Sequence, residues 1–125
     1  MPAHPDLTLS GVVLDAPDPR SLATFYRRLL GWEVVQDEAD WVKISPPGGG
    51  PGLSFQTEPN YHRPTWPASP MAQGMMIHLD FQVADLPAAC AHAEAAGATL
   101  AEFQPQDHVR VYFDPVGHPF CLFTH

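Results

Sequence analysis

Basic residues are scarce in this chain. Six Lys and Arg stand against 14 Asp and Glu, for a formal net charge of −8. That balance excludes a broad surface for nucleic acid or an anionic membrane, because both partners are negative. Cysteine is scarcer still: Cys90 and Cys121 are the two thiols, and no Cys-x-x-Cys occurs. A disulfide framework is therefore not expected, and a reduced, cytoplasmic location is. Long apolar runs are missing too. No stretch approaches the roughly 18 consecutive apolar residues of a membrane span. The leading Met1-Pro2-Ala3-His4-Pro5-Asp6 has neither the basic nor the apolar region of a secretory signal.

Proline, by contrast, is plentiful at 15 residues. Beside 45% hydrophobic and 10% aromatic residues, the prolines point to turns rather than to low-complexity disorder. A length of 125 residues fits one domain with a core of its own.

The chain is written twice. Val12-Val13-Leu14-Asp15-Ala16-Pro17-Asp18, shifted by 67 residues, falls on Leu79-Asp80-Phe81-Gln82-Val83-Ala84-Asp85. Each run is strand-like and ends in an Asp suited to cap a helix. Leu22, Phe25, Tyr26, Leu29 and Leu30 then recur on one helical face, with Pro19 before them and Gly31 after. Leu86, Ala89, Cys90 and Ala93 repeat that stripe, with Pro87 in the first turn and Gly97 as the stop. At the same shift, Trp41-Val42-Lys43-Ile44 falls on His108-Val109-Arg110-Val111, and Gly50 to Phe55 falls on Gly117 to Leu122. The pattern predicts βαβββ twice. Strands fall near 8–15, 32–37, 40–45 and 52–57, then 76–83, 98–103, 108–113 and 119–124; helices fall over 19–30 and 86–96. The single domain expected over 8–124 thus has units 8–57 and 76–124, joined by a connector over 58–75.

Strand alternation assigns two faces. Leu79, Phe81, Val83, Phe120, Leu122, Val109 and Val111 are expected under the helices, as are Val12, Leu14, Val42, Ile44, Leu53 and Phe55. The opposite face then carries His78, Asp80, Gln82, Arg110, Tyr112, Lys43, Ser54, Gln56 and Cys121. It is either an ordinary solvated sheet face or the polar lining of a cleft walled by Tyr112, Phe123, Tyr61 and Trp66. His118 is read as a turn residue, and His62 and His108 as surface residues near the rim. Gly48-Gly49-Gly50 lacks the Lys-Ser/Thr and helix of a phosphate loop.

Two stretches carry a resemblance to a known family: Leu22-Ala23-Thr24-Phe25-Tyr26-Arg27-Arg28-Leu29-Leu30-Gly31-Trp32 and Asp114-Pro115-Val116-Gly117-His118-Pro119-Phe120. With the doubled βαβββ pattern, they resemble the vicinal oxygen chelate superfamily of glyoxalases, bleomycin-resistance proteins and dioxygenases. Its glyoxalase-like branch shares the His-Leu-Asp strand and the Gly-His-Pro-Phe-Cys ending. The resemblance implies an α+β fold in which tandem βαβββ repeats form a cupped open barrel of eight strands with the helices outside. It also implies a site within the cup, and a homodimer, which size exclusion with light scattering would test. The metal ligands of the superfamily fall by position on Gly11, Ser54, His78 and Cys121. Gly11 has no side chain and Ser54 is a poor ligand, so no standard metal site is expected; a divalent metal recruiting Asp80 beside His78 is the lesser alternative.

Two functions follow as expectations. In the first, the cup binds a small aromatic or anionic molecule through His78, Asp80, Gln82, Arg110, Tyr112, Cys121, Gln56 and Trp66, with Lys43, Arg63 and Arg110 attracting negative charge. In the second, the protein is a lyase, isomerase or dioxygenase. His78 is then metal ligand or general base, Asp80 orients it, and Tyr112 or Arg110 stabilises oxyanion charge. His78, Asp80 and Cys121 also invite a nucleophile–base–orienter arrangement.

Overall fold

Capping chemistry sets the two helices. Asp18 lies in extended backbone, and its carboxylate accepts from the Arg20 amide at 3.1 Å, with Pro19 next in the first turn. Helix α1 (Pro19–Leu30) ends at Gly31, whose φ of 71° is the left-handed conformation that glycine adopts without strain. Helix α2 (Leu86–Ala96) repeats the device: Asp85 accepts from the Ala88 amide at 3.1 Å, and Gly97 follows its last turn. The computed structural model describes residues 4–125 and sets eight strands against these helices.

The first unit contributes β1 (Gly11–Ala16), β2 (Glu33–Glu38), β3 (Trp41–Ser45) and β4 (Gly52–Thr57). The second contributes β5 (Leu79–Gln82), β6 (Thr99–Leu100), β7 (Val109–Phe113) and β8 (Pro119–Phe123). They form two four-stranded sheets, ordered β1-β4-β3-β2 and β5-β8-β7-β6. In each, the first and last strands of the unit run parallel and the remaining pairs are antiparallel. The doubled βαβββ order is therefore present, as a cup and not a closed barrel. Among the described residues, no helix is long and apolar enough to cross a membrane.

One core joins the units. Leu22, Ala23, Phe25 and Tyr26 of α1 are buried with Leu14, Ile44, Leu53 and Phe55 of their own unit and with Phe120 and Leu122 of the other. Helix α2 buries only the small residues Ala93 and Ala96, and these side chains allow α1 to approach closely. Tyr26 stacks on Phe55 with ring centroids 5.5 Å apart and donates its hydroxyl to Asp114 at 2.8 Å. The two stretches that carry the family resemblance thus touch across the units.

Three strands are shorter by two residues or more than the alternation predicts. β1 begins at Gly11 rather than at residue 8, β5 spans Leu79–Gln82 rather than 76–83, and β6 holds two residues rather than 98–103. A side chain replaces the missing ladder beside β6. The Gln104 amide donates to the carbonyls of Ala101 and Val111 at 2.8 and 3.0 Å and accepts from the Val111 amide at 2.9 Å. These bonds occupy the backbone groups that a longer β6 would have paired.

The repeat offset also slips in β7. In the first unit Val42 pairs with Phe55 and Ile44 with Leu53; in the second Arg110 pairs with Leu122 and Tyr112 with Phe120. β8 keeps the offset of 67 from β4, whereas β7 lies 68 from β3. The hairpin before β8 is one residue shorter, and a one-residue slip turns every side chain of the strand to the other face. Tyr112, not Val111, consequently packs under the helices, stacked on Phe120 with centroids 5.9 Å apart.

Candidate functional site

The inner face of the second unit gathers a His, an Asp and a Cys. Asp80 and Cys121 are register partners on the parallel strands β5 and β8, which places their side chains side by side. His78 precedes β5 by one residue and lies two before Asp80, so it shares that face. Its Nε2 is 3.1 Å from Asp80 Oδ1. One ligating atom from each of the three lies within 4.8 Å of the others. Trp66, from the connector, stacks on the His78 ring with centroids 4.8 Å apart and planes 25° from parallel, and Phe103 lies against Trp66. The result is a cavity of about 190 Å³ whose polar base is the His78–Asp80–Cys121 group and whose walls include Trp66, Val109, Val111 and Phe123.

The three groups differ in reactivity. Cys121 is buried, and its thiol is pushed up to about 11, first by burial and then by the Asp80 carboxylate that accepts from it. It is a poor nucleophile at neutral pH, because attack requires the thiolate. The order of contacts is Cys–Asp–His rather than Cys–His–Asp, so the nucleophile–base–orienter arrangement is not formed. Burial also raises the phenols of Tyr26, Tyr61 and Tyr112 above their ordinary range. A group whose pKa is higher folded than unfolded stabilises the fold below its unfolded pKa and loses that contribution as pH rises through the folded value. Stability is therefore expected to fall as pH climbs from about 9 toward 11, the Cys121 window, with the tyrosines adding to the loss. Urea unfolding followed across that window measures it; a midpoint that stays flat or rises would contradict the burial argument.

The other sequence candidates do not join the site. Tyr112 is buried under α2 and donates to Glu94 at 2.6 Å, so its proposed place in the cup is corrected. Arg110 turns the same way, and its Nη1 donates to the carbonyls of Gln106, Asp107 and Val109 at 2.8–3.2 Å. The register slip of β7 explains both. Gln56 donates to Asp15 at 2.7 Å in the other unit, and Gln82 is exposed beyond the cavity. The basic residues do not converge either. Lys43 donates to Ser10 and Arg63 to the Pro115 carbonyl, and neither they nor Arg110 line the cavity. Trp66 lines the cavity, stacked on His78. Val109 and Val111 were missed, because their alternation was read in the opposite phase.

A larger cavity, of about 440 Å³, lies between β1 and the connector, with Asp15, Glu58, Tyr61 and His118 among its lining. Its polar groups are already engaged. Asp15 accepts from Gln56, Glu58 from the Asn60 amide, and His118 Nδ1 lies 2.8 Å from Asp114. The smaller cavity is the stronger candidate because its convergent side chains have each other as their main partners.

The positions where the superfamily places metal ligands do not form a site. A Cβ at Gly11 would meet the Gly52 carbonyl oxygen at 2.7 Å, so no ligating side chain fits there in this backbone. Ser54 is buried beside Lys43 in the ladder and supplies only a hydroxyl. His78 and Cys121 remain, both on the second unit.

Solved structures share this architecture at low identity. A glyoxalase/bleomycin resistance protein/dioxygenase family enzyme from Burkholderia phytofirmans PsJN superposes with a TM-score of 0.72 at 18% identity, covering 94% of this chain and 98% of that one. A possible glyoxalase from Bacillus cereus gives a TM-score of 0.69 at 10% identity over 94% and 99% of the chains. The fosfomycin resistance protein FosX from Listeria monocytogenes gives 0.69 at 14% identity over 98% and 92%; a variant of it is known in complex with Mn(II) and 1S,2S-dihydroxypropylphosphonic acid. A comparison with the curated proteins found no match. The family model of the glyoxalase-like domain matches residues 11–123, which spans both units, the connector and the whole of the His78–Asp80–Cys121 face. The chain is therefore a member of the glyoxalase-like domain family, within the vicinal oxygen chelate superfamily.

Proposed function

We propose that this protein binds a small, neutral, flat organic molecule in the cup of its second unit, without the four-position metal set of its superfamily. The observation that carries this reading is the stack of Trp66 on His78 above a cavity with apolar walls and a polar base. Such a mix of stacking surface and few convergent polar groups is what small-molecule sites offer. The volume of about 190 Å³ selects a compact ligand, since drug-sized molecules occupy roughly 300 Å³ or more. Because Lys43, Arg63 and Arg110 are turned elsewhere, neutral ligands are favoured over anions. A thermal-shift panel of small neutral and anionic aromatics tests this. A neutral member is expected to raise the melting temperature, and Trp66→Ala is expected to weaken its binding about tenfold or more, by the loss of roughly 1.5 kcal/mol of stacking. A panel with no stabilising member, or undiminished binding by Trp66→Ala, overturns the reading.

A second reading is a glyoxalase-like enzyme in which His78 acts as general base. It is favoured by the His78–Asp80 contact of 3.1 Å, which holds Nε2 on the carboxylate side. The imidazole then takes a proton from a bound molecule only after turning its free edge to the cavity. Solvent-isotope exchange into a ligand identified by the panel, lost in His78→Gln with binding retained, would support it; exchange undiminished in that variant would remove it.

A further inference from the structure

We infer that the helix-bearing side of the first unit carries a second binding site, a hollow between α1 and β2 in which Arg20 and Arg27 hold the phosphate group of a small phosphomonoester. The hollow, of about 220 Å³, shares no lining residue with the cavity at His78. It stands whether or not that cavity binds a ligand.

Half of the six Lys and Arg stand on one helix, as Arg20, Arg27 and Arg28 of α1. The helix dipole favours cations in the last turn, where Arg27 and Arg28 lie, and disfavours one in the first turn. Arg20 is in that first turn all the same. Asp37 holds it there, its Oδ1 accepting from Arg20 Nε at 2.9 Å. A bulge in β2 makes this contact possible. Val34 pairs with Ile44 and Asp37 with Val42, and the register shifts between Val34 and Gln36. Val34 and Asp37, three residues apart, therefore share the face of the buried Ile44 and Val42, which α1 covers. Without the extra residue, Asp37 would point into the cup. Contact through Nε leaves both Nη groups of Arg20 for a second acceptor. Among the described residues, no carboxylate lies in ion-pair range of Arg27. Arg20 and Arg27 are two turns apart on one face of α1, with Thr24 between them and Ala23, Val34 and Val42 as an apolar floor. The outer oxygens of a phosphomonoester match two guanidinium forks, where a carboxylate fills only one. Its organic substituent covers the floor. The fold itself does not require these arginines: at the 67-residue offset, α2 has Pro87, Ala91 and Glu94 in place of Arg20, Thr24 and Arg27.

Amide NMR of the full-length protein, titrated with phenyl phosphate at constant ionic strength, tests the site residue by residue. Saturable shifts are expected over 20–28 of α1 and 34–37 of β2. Benzoate, which presents the same ring on a carboxylate, is expected to bind there several-fold more weakly. Arg20→Gln and Arg27→Gln are each expected to weaken phenyl phosphate binding about tenfold or more. Arg28→Gln removes the same charge from the next position without touching the hollow, and is expected to leave affinity within about twofold. All three arginines are exposed, and melting curves establish that each variant is folded; should Arg20→Gln fail, Arg27→Gln carries the test. Shifts reproduced by added chloride, shifts confined to residues around His78, or benzoate binding as tight as that of phenyl phosphate overturns the site. So does undiminished binding by Arg27→Gln, or an equal loss in Arg28→Gln.

Discussion

Asp114→Ala is expected to remove about 3–5 kcal/mol of folding stability, because it strips the acceptor from a set of buried donors. The Asp114 carboxylate is fully buried. It accepts from the Tyr26 hydroxyl at 2.8 Å and from the amides of Val116 and His118 at 3.0 Å each, and it meets His118 Nδ1 at 2.8 Å. Removing it leaves the buried Tyr26 hydroxyl unpaired at the junction of the units and frees the turn that leads into β8. Tyr26→Phe removes only one donor and leaves the carboxylate three partners, so a loss of about 1–1.5 kcal/mol is expected. Urea unfolding of both single variants and of the double variant measures the coupling between the residues. A loss below about 1.5 kcal/mol in Asp114→Ala, or coupling near zero, would show that the link between the units does not stabilise the fold.

Much of the fold was legible because its signals are local. Asp18, Pro19 and Gly31, and Asp85 and Gly97, are read from neighbours in the chain, and the helices fall where those residues place them. The inner face of β5 was legible for the same reason: His78 and Asp80 are two residues apart, and a strand cannot put them on different faces. The face of β7 was not. Its direction depends on how many residues the following hairpin holds, and Val109-Arg110-Val111-Tyr112 alternates acceptably in either phase. Register settled it by pairing Tyr112 with Phe120, and the loss of Tyr112 and Arg110 from the candidate site follows from that one residue. The partnership of Tyr26 with Asp114 was also out of reach, since 88 residues separate them; His118 was read correctly as a turn residue, but not its carboxylate partner.

Trp66 occupies a middle ground. A tryptophan amid Pro64, Thr65 and Pro67 marks a stiff connector that must cover something apolar, and covering the cup was a reasonable expectation. That it lies on His78 rather than on a strand edge is a fact of tertiary packing. The consequence for function is that, among the described residues, the aromatic ring stacked on His78 comes from outside the two repeated units. The repeat supplies the polar base of the site and the connector supplies its cover, so ligand preference is expected to follow the connector more closely than the strands.

Gly11→His, which would place the superfamily's type of ligand at the first-unit position, is expected to lower stability by about 2–4 kcal/mol and to add no affinity for metal. Gly11 and Gly52 are partners in the parallel ladder of β1 and β4. A Cβ at position 11 would stand 2.7 Å from the Gly52 carbonyl oxygen, an approach that only backbone movement relieves. Because the conflict begins at Cβ, Gly11→Ala is expected to lose most of what Gly11→His loses; a large difference between them would place the cause in the imidazole instead. Urea midpoints of the two variants, with Zn²⁺ titration of each, decide the matter. A Gly11→His protein as stable as the parent and tighter for Zn²⁺ would show that the first unit can still host a ligand. The close approach argues otherwise: β1 and β4 come together through the Gly11–Gly52 pair, where the second unit, at the repeat offset, has His78 just before β5 and Pro119 at the start of β8. The two halves of the repeat have thus divided their roles, the first closing its sheet edge tightly and the second retaining the donors.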